Sequence, residues 1–219
     1  AGDHKAFIDA LSEFSPLAEL SDVGSLIHFT VETTKLIRCE LKVNGTQAIP
    51  TEIKTLTASG KISVKPMPKT RFHEIYQDYV CGSMLRVTRE VFAILPVDAV
   101  LITASADILD TRTGHTLEQP VLSAVMPRAI IASLDFDKLD PSDAMENFLH
   151  RGDFKASRKV GAFLPITPLT PADIPQPPIE EMGYADLLVC VRRLREELQA
   201  KLAALKAATV PEPEPSSNE

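Results

Sequence analysis

Proline and glycine placement constrains this chain more than any other feature of its sequence. Prolines outnumber glycines by 17 to 9, and the prolines are clustered while the glycines are scattered. Six prolines (Pro165, Pro168, Pro171, Pro175, Pro177 and Pro178) fall within fourteen residues, and Pro211, Pro213 and Pro215 alternate further on. Proline fixes φ and has no amide hydrogen to donate, so neither stretch suits a helix or a central strand. The chain therefore divides into a body over 1–164, an extended polyproline-like connector over 165–181, a helix over 182–209 and a tail over 210–219. The tail's acidic, proline-rich composition predicts disorder.

The scattered glycines remove whole classes of chemistry. No two lie closer than nine positions, at 152 and 161. The dinucleotide fingerprint, the P-loop and the kinase glycine loop all need glycines within a few residues of one another, as does the Gly-x-Ser-x-Gly nucleophile elbow. Metal motifs are also missing. Cys39, Cys81 and Cys190 are far apart, and the five histidines never pair at i, i+4. Cysteines odd in number and widely spaced point to a reducing compartment, so a cytoplasmic location is expected. Cys81, in the run Cys81-Gly82-Ser83, has His73 two helical turns away, too far to activate it. That small-residue patch is expected where another element packs closely.

Periodicity gives an α+β class. A short amphipathic helix over 3–14, with Phe7, Leu11 and Phe14 on one face, opens the body. Alternation then follows in Ile27, Phe29 and Val31, and in Ile37, Cys39, Leu41 and Val43, which predicts strands. A helix over 24–42 is the rival reading. Asn44-Gly45 is the strongest hairpin signal in the chain. A second strand pair, 52–56 and 61–65, flanks Ser59-Gly60. The stripe from Phe72 to Leu95 predicts a long central helix over 70–94. Beyond Pro96 come a buried strand over 97–104, a turn at Thr113-Gly114-His115, strands over 121–125 and 129–136, and a helix that Asp140-Pro141 would start. The expected architecture is a mostly antiparallel sheet packed on the 70–94 helix.

The densest polar cluster, Asp107 to Glu118, lies where a buried strand ends, a common position for a site. Asp107, Asp110, His115 and Glu118 could converge on a divalent metal or act as acid and base. A helix, three strands and a helix, with acids on the middle strands, resemble the core of the restriction-endonuclease-like nucleases over 70–150. That family's motif needs an Asp and then Glu-x-Lys on the next strand. Here Glu118 is followed by Gln119 and Pro120, so Arg128 would have to replace the lysine. The resemblance implies a diverged metal-dependent hydrolase, with nucleic acid as its substrate. The competing reading makes Asp110, Thr113 and Gly114 ordinary turn formers. Acid-x-Lys triplets such as Glu40-Leu41-Lys42 occur four times, against roughly 1.6 expected from composition, too small an excess to mark a site. On alternating strands their charges face solvent. Arg151, Lys155, Arg158 and Lys159 form a short basic run that reads as a solvated loop or a phosphate contact.

One segment implies a partner by its shape. Leu187, Val191, Leu194, Leu198, Leu202 and Leu205 recur at steps of three and four, with Arg, Glu and Lys between them. About three heptads suit a short coiled coil, and equally a helix that folds back onto the body. The leading expectation is a non-enzymatic interaction or assembly module. It docks a protein partner or a second copy through this helix, needs no cofactor and makes no membrane contact. The net charge of −7 fits that expectation, since it opposes general attraction to nucleic acid or an anionic bilayer.

Overall fold

The computed structural model describes residues 4–14, 26–110, 112–154, 161–174, 191–192, 195–196 and 198–201. The fold is α+β. Helix α1 (His4–Phe14) precedes the hairpin β1 (Leu26–Val31) and β2 (Leu36–Lys42). A second hairpin follows, β3 (Glu52–Leu56) and β4 (Ile62–Pro66), and then the long helix α2 (Lys69–Ile94). Next come β5 (Ala99–Leu109), β6 (Thr116–Pro127), the short helix α3 (Arg128–Ser133) and β7 (Leu149–Gly152). The main sheet has the order β1-β2-β5-β6-β7 and is antiparallel except where β2 pairs in parallel with β5. The hairpin β3–β4 forms its own two-stranded sheet. Among the described residues, no helix is long and apolar enough to cross a membrane.

The sheet forms against α2 because both present apolar residues at their own period. The buried positions of α2 include Tyr76, Val80, Met84, Val87 and Val91, spaced by threes and fours. Ile37, Cys39, Leu41, Val100, Ile102, Leu122 and Ala124 meet them from one face of the sheet. The region 26–42 is a strand pair, as the alternation predicts, not a helix. Gly82 lies against Pro141, where an added Cβ would meet the proline ring at 3.8 Å, so the small patch beside the buried Cys81 is a packing contact.

Three local expectations are corrected. Asn44-Gly45 is not a hairpin turn: Gly45 has φ −65° and precedes a 3-10 turn, and the first hairpin, β1–β2, turns at 32–35. Asn44 is instead clasped by α2: the Tyr76 hydroxyl donates to its carbonyl at 2.9 Å, and its amide donates to the Tyr79 hydroxyl at 3.3 Å. The segment from 129 is helical, not a strand. Both edges of β6 are already paired, with β5 and β7, so no strand position remains beside it. Asp140 does cap the next turn, its carboxylate accepting the amides of Ser142 and Asp143, both at 3.0 Å. The turn is only a 3-10 helix over Asp143–Asn147, and the chain then extends into β7. Phe148 and Leu149 explain the change, because they are consecutive, both buried, and belong to different apolar clusters on opposite faces of the sheet.

Candidate functional site

The face of the sheet turned away from α2 changes character along the strands. It carries Leu36, Arg38, Glu40 and Lys42 of β2, and Ala99, Leu101, Thr103, Ser105 and Asp107 of β5. The parallel register sets Leu36 beside Ala99 at one end and Lys42 beside Ser105 at the other. One end is therefore apolar and the other polar.

A second apolar cluster covers the first end. Ala99, Leu101, Val125 and Leu149 meet Leu169 and Val191, with Leu36, Ile174 and Leu198 packed around them. Residues 165–174, the first part of the proline-rich connector, run across the sheet and are tied to it. The Ile166 amide donates to the Pro120 carbonyl at 2.9 Å, and the Leu169 amide to the Ser123 hydroxyl at 3.1 Å. Arg151 pins the same segment, donating to the Pro168 carbonyl at 3.0 Å and to Asp173 at 2.7 Å. This commits Arg151 internally, while Lys155, Arg158 and Lys159 lie outside the described residues. Of the six positions in the C-terminal stripe, Val191 is buried on this patch and Leu198 packs beside it, while Arg195 pairs with Glu146. Leu187, Leu194, Leu202 and Leu205 lie outside the described residues.

The polar end gathers three charges from three strands. The Lys42 ammonium sits 2.9 Å from Glu118 and 3.2 Å from Asp107, which face each other across β5 and β6. The Ser105 hydroxyl donates to Glu118 at 2.9 Å. Hydrogen bonds donated to Glu118 and then to Asp107 push the Lys42 pKa up, and those that Glu118 accepts from Lys42 and Ser105 hold its pKa down. The lysine is thus firmly protonated. It screens the carboxylates from each other and is unsuited to act as a nucleophile, which requires the neutral amine.

The remaining candidates separate from this group. Asp110 turns into the β5–β6 hairpin, where its carboxylate accepts the Arg112 amide at 2.9 Å, and Gly114 takes φ +73°. That backbone bond lowers the Asp110 pKa. His115 is exposed in the same turn, its amide 3.4 Å from the Thr113 hydroxyl. Arg128 caps the C-terminal end of α2. It donates to the carbonyls of Val97 at 2.7 Å, Phe92 at 2.9 Å and Leu95, with its guanidinium 4.5 Å from the Phe92 ring centroid. Of the five residues selected from the sequence, the fold brings together Asp107 and Glu118. Lys42 and Ser105 join them without having been singled out. Lys42 had a visible signal in its outward-facing register with Arg38 and Glu40, but its pairing with β5 spans some sixty residues and leaves no local trace.

Asp107 and Glu118 are the carboxylates best placed to share a cation, which would have to replace the Lys42 ammonium. Among the described residues, no three His, Cys, Asp or Glu side chains are grouped to hold a metal ion. No protein-family model, curated protein or solved structure matches the chain.

Proposed function

We propose that the protein is a non-enzymatic interaction or assembly module that docks a second copy or a partner protein through its C-terminal helix. One observation carries this reading: Val191 and Leu198 rest on an apolar seat formed by Ala99, Leu101, Val125 and Leu149, on the sheet face turned away from α2. This cluster is separate from the main core and much smaller, so lifting the helix would leave the α2 interface intact. A seat and a ligand that can part without unfolding the body are what exchange between copies requires. Sedimentation of the full chain beside its Val191→Asp, Leu198→Asp variant tests the reading. A concentration-dependent assembly or a retained partner, lost in the variant, is expected. A monomer of unchanged mass in both, with no co-purifying protein, would refute it.

A second reading, a diverged metal-dependent hydrolase, draws support from the meeting of Asp107 and Glu118 with Lys42. The three supply the residue types of an acid, acid and lysine nuclease set, with the lysine on a neighbouring strand and not two residues after the glutamate. Isothermal titration with Mg²⁺ or Mn²⁺ tests it. Heat of binding that disappears in Glu118→Gln would favour it, and no heat at millimolar metal would remove it.

A further inference from the structure

The 165–174 segment is held to the sheet by hydrogen bonds to Pro120, Ser123 and Arg151, none of them on the C-terminal helix. Arg151 donates from both ends of its guanidinium, to the Pro168 carbonyl and to Asp173, with its side chain only 20% exposed. Asp173 in turn accepts the amide and the hydroxyl of Thr170, each at 2.8 Å, so its carboxylate closes a turn of the segment onto the arginine. Ser123 is fully buried, and its hydroxyl holds Leu169 while sharing a hydrogen bond with the Thr103 hydroxyl at 2.8 Å. Leu169 and Ile174 are thereby fixed at the border of the seat. A helix leaving the seat would leave these two side chains in place, so the receiving surface is a groove with a wall and not a flat sheet face.

The helix meets this groove with three residues. Val191, Arg195 and Leu198 follow at steps of four and three, which stacks them along one side of a helix. Val191 and Leu198 join the apolar cluster, and between them Arg195 pairs with Glu146. Arg192, Glu196 and Gln199 are exposed. Glu146 belongs to the 3-10 turn that leads into β7, the strand that carries Leu149 and Arg151. Apolar contact is non-directional, so two aliphatic anchors alone tolerate sliding along the groove. A charge pair set between them fixes the register.

Building on the docking reading above, we propose that this groove receives the C-terminal helix of a second copy and recognises it by Val191, Arg195 and Leu198 together. Glu146 is the specificity residue, and Arg151 is a positioning residue that holds the wall. A second copy is the occupant because its helix satisfies all three contacts unchanged, each body taking the helix of the other in a closed exchange. The chain is long enough for this. Residues 175–190 reach about 55 Å at full extension, against a body roughly 40 Å across.

A charge exchange between full-length chains tests this. Glu146→Arg alone and Arg195→Glu alone each set like charges together, both within one chain and between identical copies. Mixing the two variants restores an opposite pair at both seats, and only between copies. The mixture should form a one-to-one dimer in sedimentation about tenfold or more tighter than either variant's self-association. Arg151→Ala, added to both members, should weaken that dimer about fivefold or more, and Asp173→Ala should do the same from the other side of the contact. Arg151→Lys, which keeps a cation facing Asp173, should recover part of the loss. Amide resonances of α2 that stay in place would show each variant folded. Three results would overturn the proposal: a mixture with no preference for the mixed dimer; a mixed dimer indifferent to both Arg151→Ala and Asp173→Ala; or a mixture that stays monomeric while the parent chain retains a different protein, which would assign the groove to that partner. Failure of the docking reading itself is distinct, because there the Val191→Asp, Leu198→Asp variant leaves the parent's mass unchanged.

Discussion

The two faces of the main sheet use the same strands and differ in what covers them. On β2, Ile37, Cys39 and Leu41 point to α2 and are buried, while their neighbours Arg38, Glu40 and Lys42 point the other way. The helix-covered face is apolar except at His150 of β7. The opposite face is buried and apolar where the 165–174 segment and Val191 reach it, and beyond that it is exposed and mostly polar, with Leu26 and Leu109 beside the charged residues. A single alternation thus yields a core on one side and, on the other, a seat beside a charged cluster. The contrast is sharpest between adjacent residues, because Leu41 and Lys42 differ by one position and by their whole environment.

That contrast predicts a gradient of effects. Leu41→Ala, at 1% exposure in the main core, should destabilise the fold by about 2–5 kcal/mol in denaturant unfolding. A loss below about 1 kcal/mol would mean that this face can collapse around the cavity. Val191→Ala, on the smaller cluster, should cost about 1–2 kcal/mol in the same measurement. A cost equal to that of Leu41→Ala would show that the two clusters unfold as one unit and would weaken the separable-seat reading.

Titration separates the faces as well. His150 lies on the α2 side, beside Phe154, and burial depresses its pKa below the ordinary 6.5. The neutral ring is the form that fits. Stability should therefore be full above about pH 6.5 and decline as pH falls from there through the depressed value. His150→Phe should flatten that part of the stability curve, and an unchanged curve would relocate the titrating group.

Lys42→Met should have the smallest effect, since the pair is surface exposed and screened by salt. The Glu118 pKa is held down chiefly by Lys42, so its contribution is present above the usual 4.5 and lost as pH falls through the lowered value. The variant should lose less stability across that acid range than the parent, and the two should converge in molar salt. Lys42, with its raised pKa, contributes below 10.5 and loses that contribution as pH rises through the raised value. A variant indistinguishable from the parent at low salt would show that the charged end contributes nothing to the fold.

Local signals along the chain are enough to decide which segments become helices and strands. The stripe from Phe72 to Leu95 makes α2, alternation makes β1 and β2, and Gly60 and Gly114, both at positive φ, make the turns of their hairpins. Where neighbours compete for the same edge or face, local reading failed. Residues 129–136 carry strand-forming residues but no free edge to pair with, and 148–149 must serve two faces at once. The candidate site followed the same division. Asp107 and Glu118 were legible because a hairpin aligns them within a few residues of its turn. Lys42 was not, because the parallel pairing of β2 with β5 is made across the whole of β3, β4 and α2. The prolines were legible as breaks, but not as the strap over 165–174 that Arg151 and Ser123 tie to the sheet. Proline placement forbids structure by removing donors and fixing φ, and this is a local effect. What covers a sheet face is settled by long-range pairing and the burial it allows, and only the tertiary structure contains that.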